Sequence, residues 1–368
     1  MYDEFDASGN NAFQVARMGK RLVFLGPRSV GFEQYPEPQL GVNEIRVETL
    51  YSGISHGTEM NVYRGTAPFF QKRWNAKYGV FLKETSSWQY PITYGYEEVC
   101  RVVEIGGVKG HLHSGDLICS AYGHQSTGIL HKRGLKTESF PLNGSIIPRG
   151  IDPIVGVFHL VANVVLNGVH KAGVKLGDQI AVFGLGVMGL LAVQLSKQSG
   201  ADHVIAVDLI DERLKLAEKL GADVILNPGT EDAALEIKKI THGGTDIAFE
   251  SSGSVKALHE AIRSCRYGSK VVAIGWYQKG ATDLLLGEEF HHNDISIVCA
   301  RAGPPPAPER DWDCVRLSET FFRLVSKGRL KVKELITHEF PFDEAPKAYR
   351  LIDENPEQVI KCVLRFNS

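Results

Sequence analysis

A chain of 368 residues exceeds what one hydrophobic core usually spans, so two domains are expected. Hydrophobic residues make up 43% and charged residues 23%, and a formal net charge of −2 gives no electrostatic ground for binding nucleic acid or an anionic membrane, which leaves small molecules as the expected partners. The six cysteines (Cys100, Cys119, Cys265, Cys299, Cys314 and Cys362) are scattered without a CxxC, as suits a reducing cytoplasm; the acidic start MYDEFDASGNN is unlike a signal peptide, and no apolar run approaches the roughly 20 residues that span a bilayer.

In chain order, residues 1–20 read as a frayed leader before the strand-like RLVFLG, and residues 44–52 alternate as a half-buried strand does. GISHGTEMNVYRG (53–65), rich in turn and hydroxyl residues, reads as a loop too polar for the core, of the kind that carries function. Residues 66–94 hold Phe69, Phe70, Trp74, Tyr78, Phe81, Trp88 and Tyr90, and two readings stand open: the wall of a pocket, or a surface lobe. GYEEVCRVVEIGG and LICSAY are short strands punctuated by glycine, as in a compact β-barrel-like domain. An apolar helical run at 154–170 follows, and the domain boundary falls near 160.

Residues 179–208 carry the most specific pattern. The strand 179–183 runs into Gly184, Gly186 and Gly189, then a helix at 187–198, a second apolar run, and Asp208. The first glycine permits a tight turn, the second lets the backbone approach a pyrophosphate, and the third lets helix and strand pack closely. Asp208 stands where a carboxylate accepts from a ribose 2′-hydroxyl. Helical and strand patterns then alternate through DVIL, DIAFE, KVVAIG and DISIVCA (294–300), predicting a doubly wound parallel α/β sheet. The proline-rich GPPPAPERDW (303–312) marks the exit, after which a helix (315–327), LITHEFPF, a helix (344–354) and VIKCVLRF return to the first domain.

The segments HGTEMNVYRG, GYEEVCRVVEIG, GDLI, AGVKLGDQIAVFGLGVMG, VIAVDLIDERLKLAEKLGAD, DIAFESSG and LITHEFPFDEAPKAYRLI jointly resemble the medium-chain dehydrogenase/reductase family, that of the zinc-type alcohol dehydrogenases. SGISHGTE, GYEEV and LGEEFHHN look most like its bacteriochlorophyllide dehydrogenase-like branch. The resemblance implies a GroES-like catalytic β-barrel domain over residues 1–160, a Rossmann domain over 161–303 and a C-terminal return over 304–368. It implies hydride transfer between NAD(H) and a secondary alcohol or ketone, on a polyhydroxylated or cyclic substrate, in a cytoplasmic homodimer or tetramer whose cofactor sheets pair through strand 294–300. Two other functions fit the scaffold: zinc-free reduction of activated carbon–carbon double bonds, and dinucleotide binding without catalysis.

The resemblance also implies site residues. Gly184, Leu185, Gly186, Val187, Met188, Gly189 and Asp208 match the dinucleotide site, with Arg213 and Gly275 as further cofactor contacts; Leu209 and Ile210 bring no positive charge for a 2′-phosphate, so NAD(H) is expected over NADP(H). His56 stands at the first catalytic-zinc position, Tyr96 replaces the usual histidine ligand, and the third position falls on His159. His56, Glu97 and His159 make a chemically sound zinc set. The alternative is no metal, with His56 a proton shuttle and His159 a core histidine. No cysteine occurs over 120–140, so no structural zinc is expected. Thr58 matches the proton-relay hydroxyl, Asn61 stands where the relay's outer histidine often lies, and His124, beyond the pocket aromatic Tyr122, is a second candidate acid/base. For His291 and His292 a structural or interface role stands beside catalysis.

Overall fold

The computed structural model describes residues 17–83, 86–107, 112–131, 145–278, 280–301 and 312–367. Most of the expected leader and the proline-rich exit, and part of the cysteine-free stretch, lie outside these residues. Strand β1 (Met18–Gly26) takes up the leader's last residues and pairs with β2 (Ser29–Pro36) as an antiparallel hairpin. Next come β3 (Glu44–Ile54), α1 (Thr58–Arg64), the small hairpin β4 (Arg73–Asn75) and β5 (Val80–Leu82), and the strands β6 (Glu98–Gly106), β7 (Leu117–Ser120), β8 (Thr127–His131) and β9 (Ser145–Ile146).

Helix α2 (His159–Ala172) leads into β10 (Gln179–Phe183), α3 (Val187–Gln198), β11 (His203–Val207), α4 (Asp211–Lys219), β12 (Val224–Leu226), α5 (Ala233–Ile240), β13 (Thr245–Glu250), α6 (Val255–Ser264), β14 (Cys265–Ala273) and β15 (Ser296–Cys299). The chain closes with α7 (Cys314–Ser326), β16 (Ile336–Pro341), α8 (Ala345–Glu354) and β17 (Lys361–Arg365).

The second group of strands forms one parallel sheet in the order β12-β11-β10-β13-β14-β15, the doubly wound arrangement expected from the alternating pattern. Its central strand β10 is buried from Ile180 to Phe183, as a strand covered by helices on both faces must be. Capping sets the starts of its helices: Asp232 accepts from Leu235 N before α5, and Ser254 from Ala257 N before α6. The other large sheet runs β16-β17-β3-β6-β7-β9, with β8 also on β3, so strands from both ends of the chain share it.

Two expectations change. Residues 58–64 are helical, with Met60, Val62 and Tyr63 in the core and Glu59 fully buried, because the helix packs its apolar side against α8 and β1. Pro153–Ala172 is a continuous 20-residue helical run long enough to cross a membrane, but 89% of its most apolar window is buried inside the protein. It is the central core helix, sharing one cluster with Val99 and Val363 of one sheet and Ile180 and Val272 of the other. The expected pocket aromatic, Tyr122, is half-buried. Its hydroxyl is held inside the barrel, 2.5 Å from Thr49 Oγ1 and 3.0 Å from Cys100 Sγ.

Candidate active site

The glycine turn after β10 meets each requirement of a pyrophosphate cradle. Gly184 has φ +84°, a conformation other residues rarely adopt. A Cβ on Gly189 would lie 1.8 Å from Gly184 O, so only glycine lets α3 pack this close to the turn, whereas a Cβ on Gly186 would meet nothing within 4 Å. No side chain caps α3, which leaves the amides of Val187, Met188 and Gly189 for an anion at the positive end of the helix. These residues fit a dinucleotide. Asp208, just beyond β11, accepts from Leu185 N at 2.6 Å and Ile210 N at 2.9 Å, so its carboxylate is fixed against the glycine turn. Gly275 follows β14; a Cβ there would lie 2.3 Å from Gly253 N. Arg213 on α4 donates to the carbonyls of Pro356 and Val359, which ties the cofactor domain to the segment before β17.

Across from this edge, the loop after β3 and the turn before β6 bring hydroxyls together. Tyr96 donates to Ser55 Oγ, and Thr58, the first residue of α1, lies close enough to act on its phenol. Burial, then the neighbouring Glu97, raises the Tyr96 phenol well above its ordinary value, so it stays protonated. His56 sits beside them with Nε2 shielded from solvent and without a hydrogen-bond partner among the described residues. Burial first, then the positive charges of Lys361, Arg213 and Arg64, pull His56 down to about 3. It is a neutral imidazole.

Behind this loop lie two buried ionic arrays. Glu97 pairs with Lys361, which is 2% exposed and also donates to Ile54 O at 3.2 Å. Gly53 makes the room, because a Cβ there would lie 2.4 Å from Glu97 Oε2. In the second array His124, 1% exposed, donates from Nε2 to Glu59 at 2.6 Å, and Tyr349 of α8 donates to the same oxygen. Ser52 Oγ lies 3.2 Å from Glu98 Oε1 and 2.5 Å from His124 Nδ1. Burial opposes a positive charge on His124, but Glu59, Glu98 and Glu97 outweigh it and raise the His124 value. Glu59 also accepts from Ser55 N, and a Cβ on Gly95 would touch the His124 ring, so this array fixes the backbones that carry Ser55 and Tyr96.

The expected zinc set does not assemble. Among the described residues, the one group of three histidine, cysteine or carboxylate side chains close enough to share a metal is His259, Glu288 and Glu289. His159 Nε2 is taken: Ser318 gives its only proton to Cys314 O, so the imidazole 2.7 Å away donates to Ser318 and has no lone pair there for a metal. Glu97 is neutralised by Lys361. The positive charges that hold His56 neutral would equally repel a dication. The residues present therefore do not fit catalytic zinc, and His159 is a core histidine stacked on Phe322. Asn61 hydrogen-bonds Gly57 O and Thr66, and His291 and His292 lie exposed ahead of β15.

Ser55, Glu59, Tyr349 and Lys361 had not been singled out. For Lys361 a signal existed: a lone lysine inside the apolar run VIKCVLRF requires a buried counter-charge.

Residues 187–315 match the family model for a zinc-binding dehydrogenase. The chain is similar to D-guloside 3-dehydrogenase of Escherichia coli (strain K12), 31% identical over 355 residues, covering 94% of this chain and 100% of that one. It is 29% identical to (R,R)-butanediol dehydrogenase of Bacillus subtilis (strain 168) over 352 residues, covering 91% and 94%. The crystal structure of 2R,3R-butanediol dehydrogenase from Bacillus subtilis superposes with TM-score 0.77 at 22% identity, over 95% of this chain and 100% of that one, so the fold is shared. The chain belongs to the medium-chain dehydrogenase/reductase family, among its zinc-type alcohol dehydrogenase-like members.

Proposed function

We propose that the chain is a nicotinamide-linked oxidoreductase acting on CH–OH groups, and that it interconverts a secondary alcohol and a ketone on a polyhydroxylated substrate without catalytic zinc. The observation that carries the reading is the hydroxyl cluster of Ser55, Thr58 and Tyr96 beside the neutral His56, on a loop that faces the cofactor domain closely enough for Arg213 to act on His56. Similarity to guloside, butanediol and sorbitol dehydrogenases supports the substrate class.

A bound nicotinamide supplies the hydride acceptor. The chain's part is to hold the reacting hydroxyl and move its proton. Tyr96 stays protonated and, on turning from Ser55, can donate to the oxygen on which charge develops, as an oxyanion donor does. In oxidation Thr58 takes the hydroxyl proton as it releases its own to solvent, in reduction the reverse, and His56 offers Nε2 as a neutral hydrogen-bond partner. His124 is sealed from the cleft and acts through Glu59 on the position of Ser55. We further propose a preference for NAD(H), resting on Asp208 and the uncharged Leu209 and Ile210; a homodimer or a tetramer of dimers, resting on the exposed edge strand β15; and a cytoplasmic location, which the free cysteines suit.

Thr58→Val and Tyr96→Phe should each lower turnover by about 10²-fold with cofactor affinity nearly unchanged, the mark of a transition-state interaction. Turnover within about twofold of wild type for both overturns the relay. One zinc per chain in the purified protein, lost together with activity in His56→Ala, overturns the zinc-free reading.

A further inference from the structure

The aromatic stretch 66–94 admits two readings from sequence alone, and ring geometry distinguishes them. A continuous series of ring contacts leaves Trp276 for Phe69 (centroids 6.2 Å apart), stacks Phe69 on Trp88 (4.6 Å, 28° between planes), and passes through Tyr94 (5.4 Å) to Tyr96 (6.0 Å). The two ends of the series carry its meaning. Trp276 follows Gly275 at the carboxyl end of β14, on the half of the sheet across β10 and β13 from Asp208, where the reacting end of a dinucleotide lies. Tyr96 belongs to the hydroxyl cluster. The series therefore runs from the side that takes the hydride to the side that takes the proton. A surface lobe would have no reason to meet the cofactor domain at this point. Trp276 is nonetheless 39% exposed, so part of this residue stays open to solvent beside the site.

We propose that Phe69, Trp88 and Trp276 form a platform for the apolar face of a ring-closed sugar, so that the substrate is a pyranoside rather than an open-chain polyol. This rests on the dehydrogenase reading above for the reaction, though not for the binding. A pyranose gathers C–H bonds on a face and hydroxyls on a rim; the electron-rich faces of aromatic rings attract the C–H face and leave the rim to Tyr96 and Thr58. An acyclic polyol has no such face and must surrender several free rotations to lie flat.

The test compares methyl hexopyranosides with sorbitol and galactitol, by NAD reduction and by saturation-transfer NMR in the presence of NADH. Wild type should show kcat/KM at least about tenfold higher for the best pyranoside than for either polyol, and saturation should reach the ring C–H protons. Trp276→Leu should cut the ratio of pyranoside to polyol kcat/KM by about tenfold, chiefly through the pyranoside KM, and Trp88→Leu should act in the same direction. A polyol matching or exceeding every pyranoside, a ratio unmoved by both variants, or no saturation transfer overturns the platform. If no alcohol is oxidised but pyranosides show saturation transfer that Trp276→Leu abolishes, the dehydrogenase reading falls and the platform stands.

Discussion

His159 offers a quantitative test of how the interior treats a histidine that the family resemblance placed in a metal site. Its imidazole donates to Ser318 at 2.7 Å, lies 3.1 Å from Ser145 Oγ and stacks on Phe322. Burial pulls it from the ordinary 6.5 to about 4. A base depressed in the fold binds fewer protons there than in the unfolded chain between those two values, so its contribution to stability is complete above pH 6.5 and is lost as pH falls toward 4. The full gap is worth roughly 3 kcal/mol, and the descent from pH 7 to pH 5 removes about 2 kcal/mol of it. His159→Gln keeps a donor that can reach Ser318 but does not titrate. Urea unfolding of both proteins at pH 7 and pH 5, in chelator, should show wild type losing about 2 kcal/mol more than the variant, because the remaining titrating groups are common to both. Equal losses would refute the sealed, neutral histidine. Chelator-dependent stability of wild type alone would restore His159 as a ligand.

Lys361→Met leaves Glu97 buried without its counter-charge and should cost about 3–5 kcal/mol in urea unfolding at pH 7, most of it recovered in Lys361→Met/Glu97→Gln; an unchanged midpoint in the single variant would show the pair to be dispensable. Asp208→Ala should narrow a preference for NAD(H) over NADP(H) by about tenfold in a binding titration, and tighter NADP(H) binding by the unmodified protein would contradict the role given to that carboxylate. Sedimentation should find a dimer or a tetramer at micromolar concentration, and a monomer there would mean that β15 is covered in another way.

Much of the cofactor side was legible in the sequence because its determinants are local. Gly184, Gly186 and Gly189 act through backbone conformation and close approach within a dozen residues, and the alternation from 204 to 300 follows from burying a parallel sheet between helices. The aromatic content of 66–94 was equally plain, but not its direction. What tertiary structure alone decided were pairings between distant residues. Tyr349 reaches Glu59 across 290 positions, Lys361 reaches Glu97 across 264, and Ser318 claims His159 across 159. Each changes the chemistry of a residue whose identity was visible from the start: Lys361 turns a candidate metal ligand into half of an ion pair, and Ser318 turns another into a hydrogen-bond donor. Local pattern specifies backbone geometry, but the protonation and charge of a buried side chain depend on how deeply the fold buries it and on the partners set within about 3 Å of it, because a low-dielectric interior penalises charge and strengthens each nearby interaction.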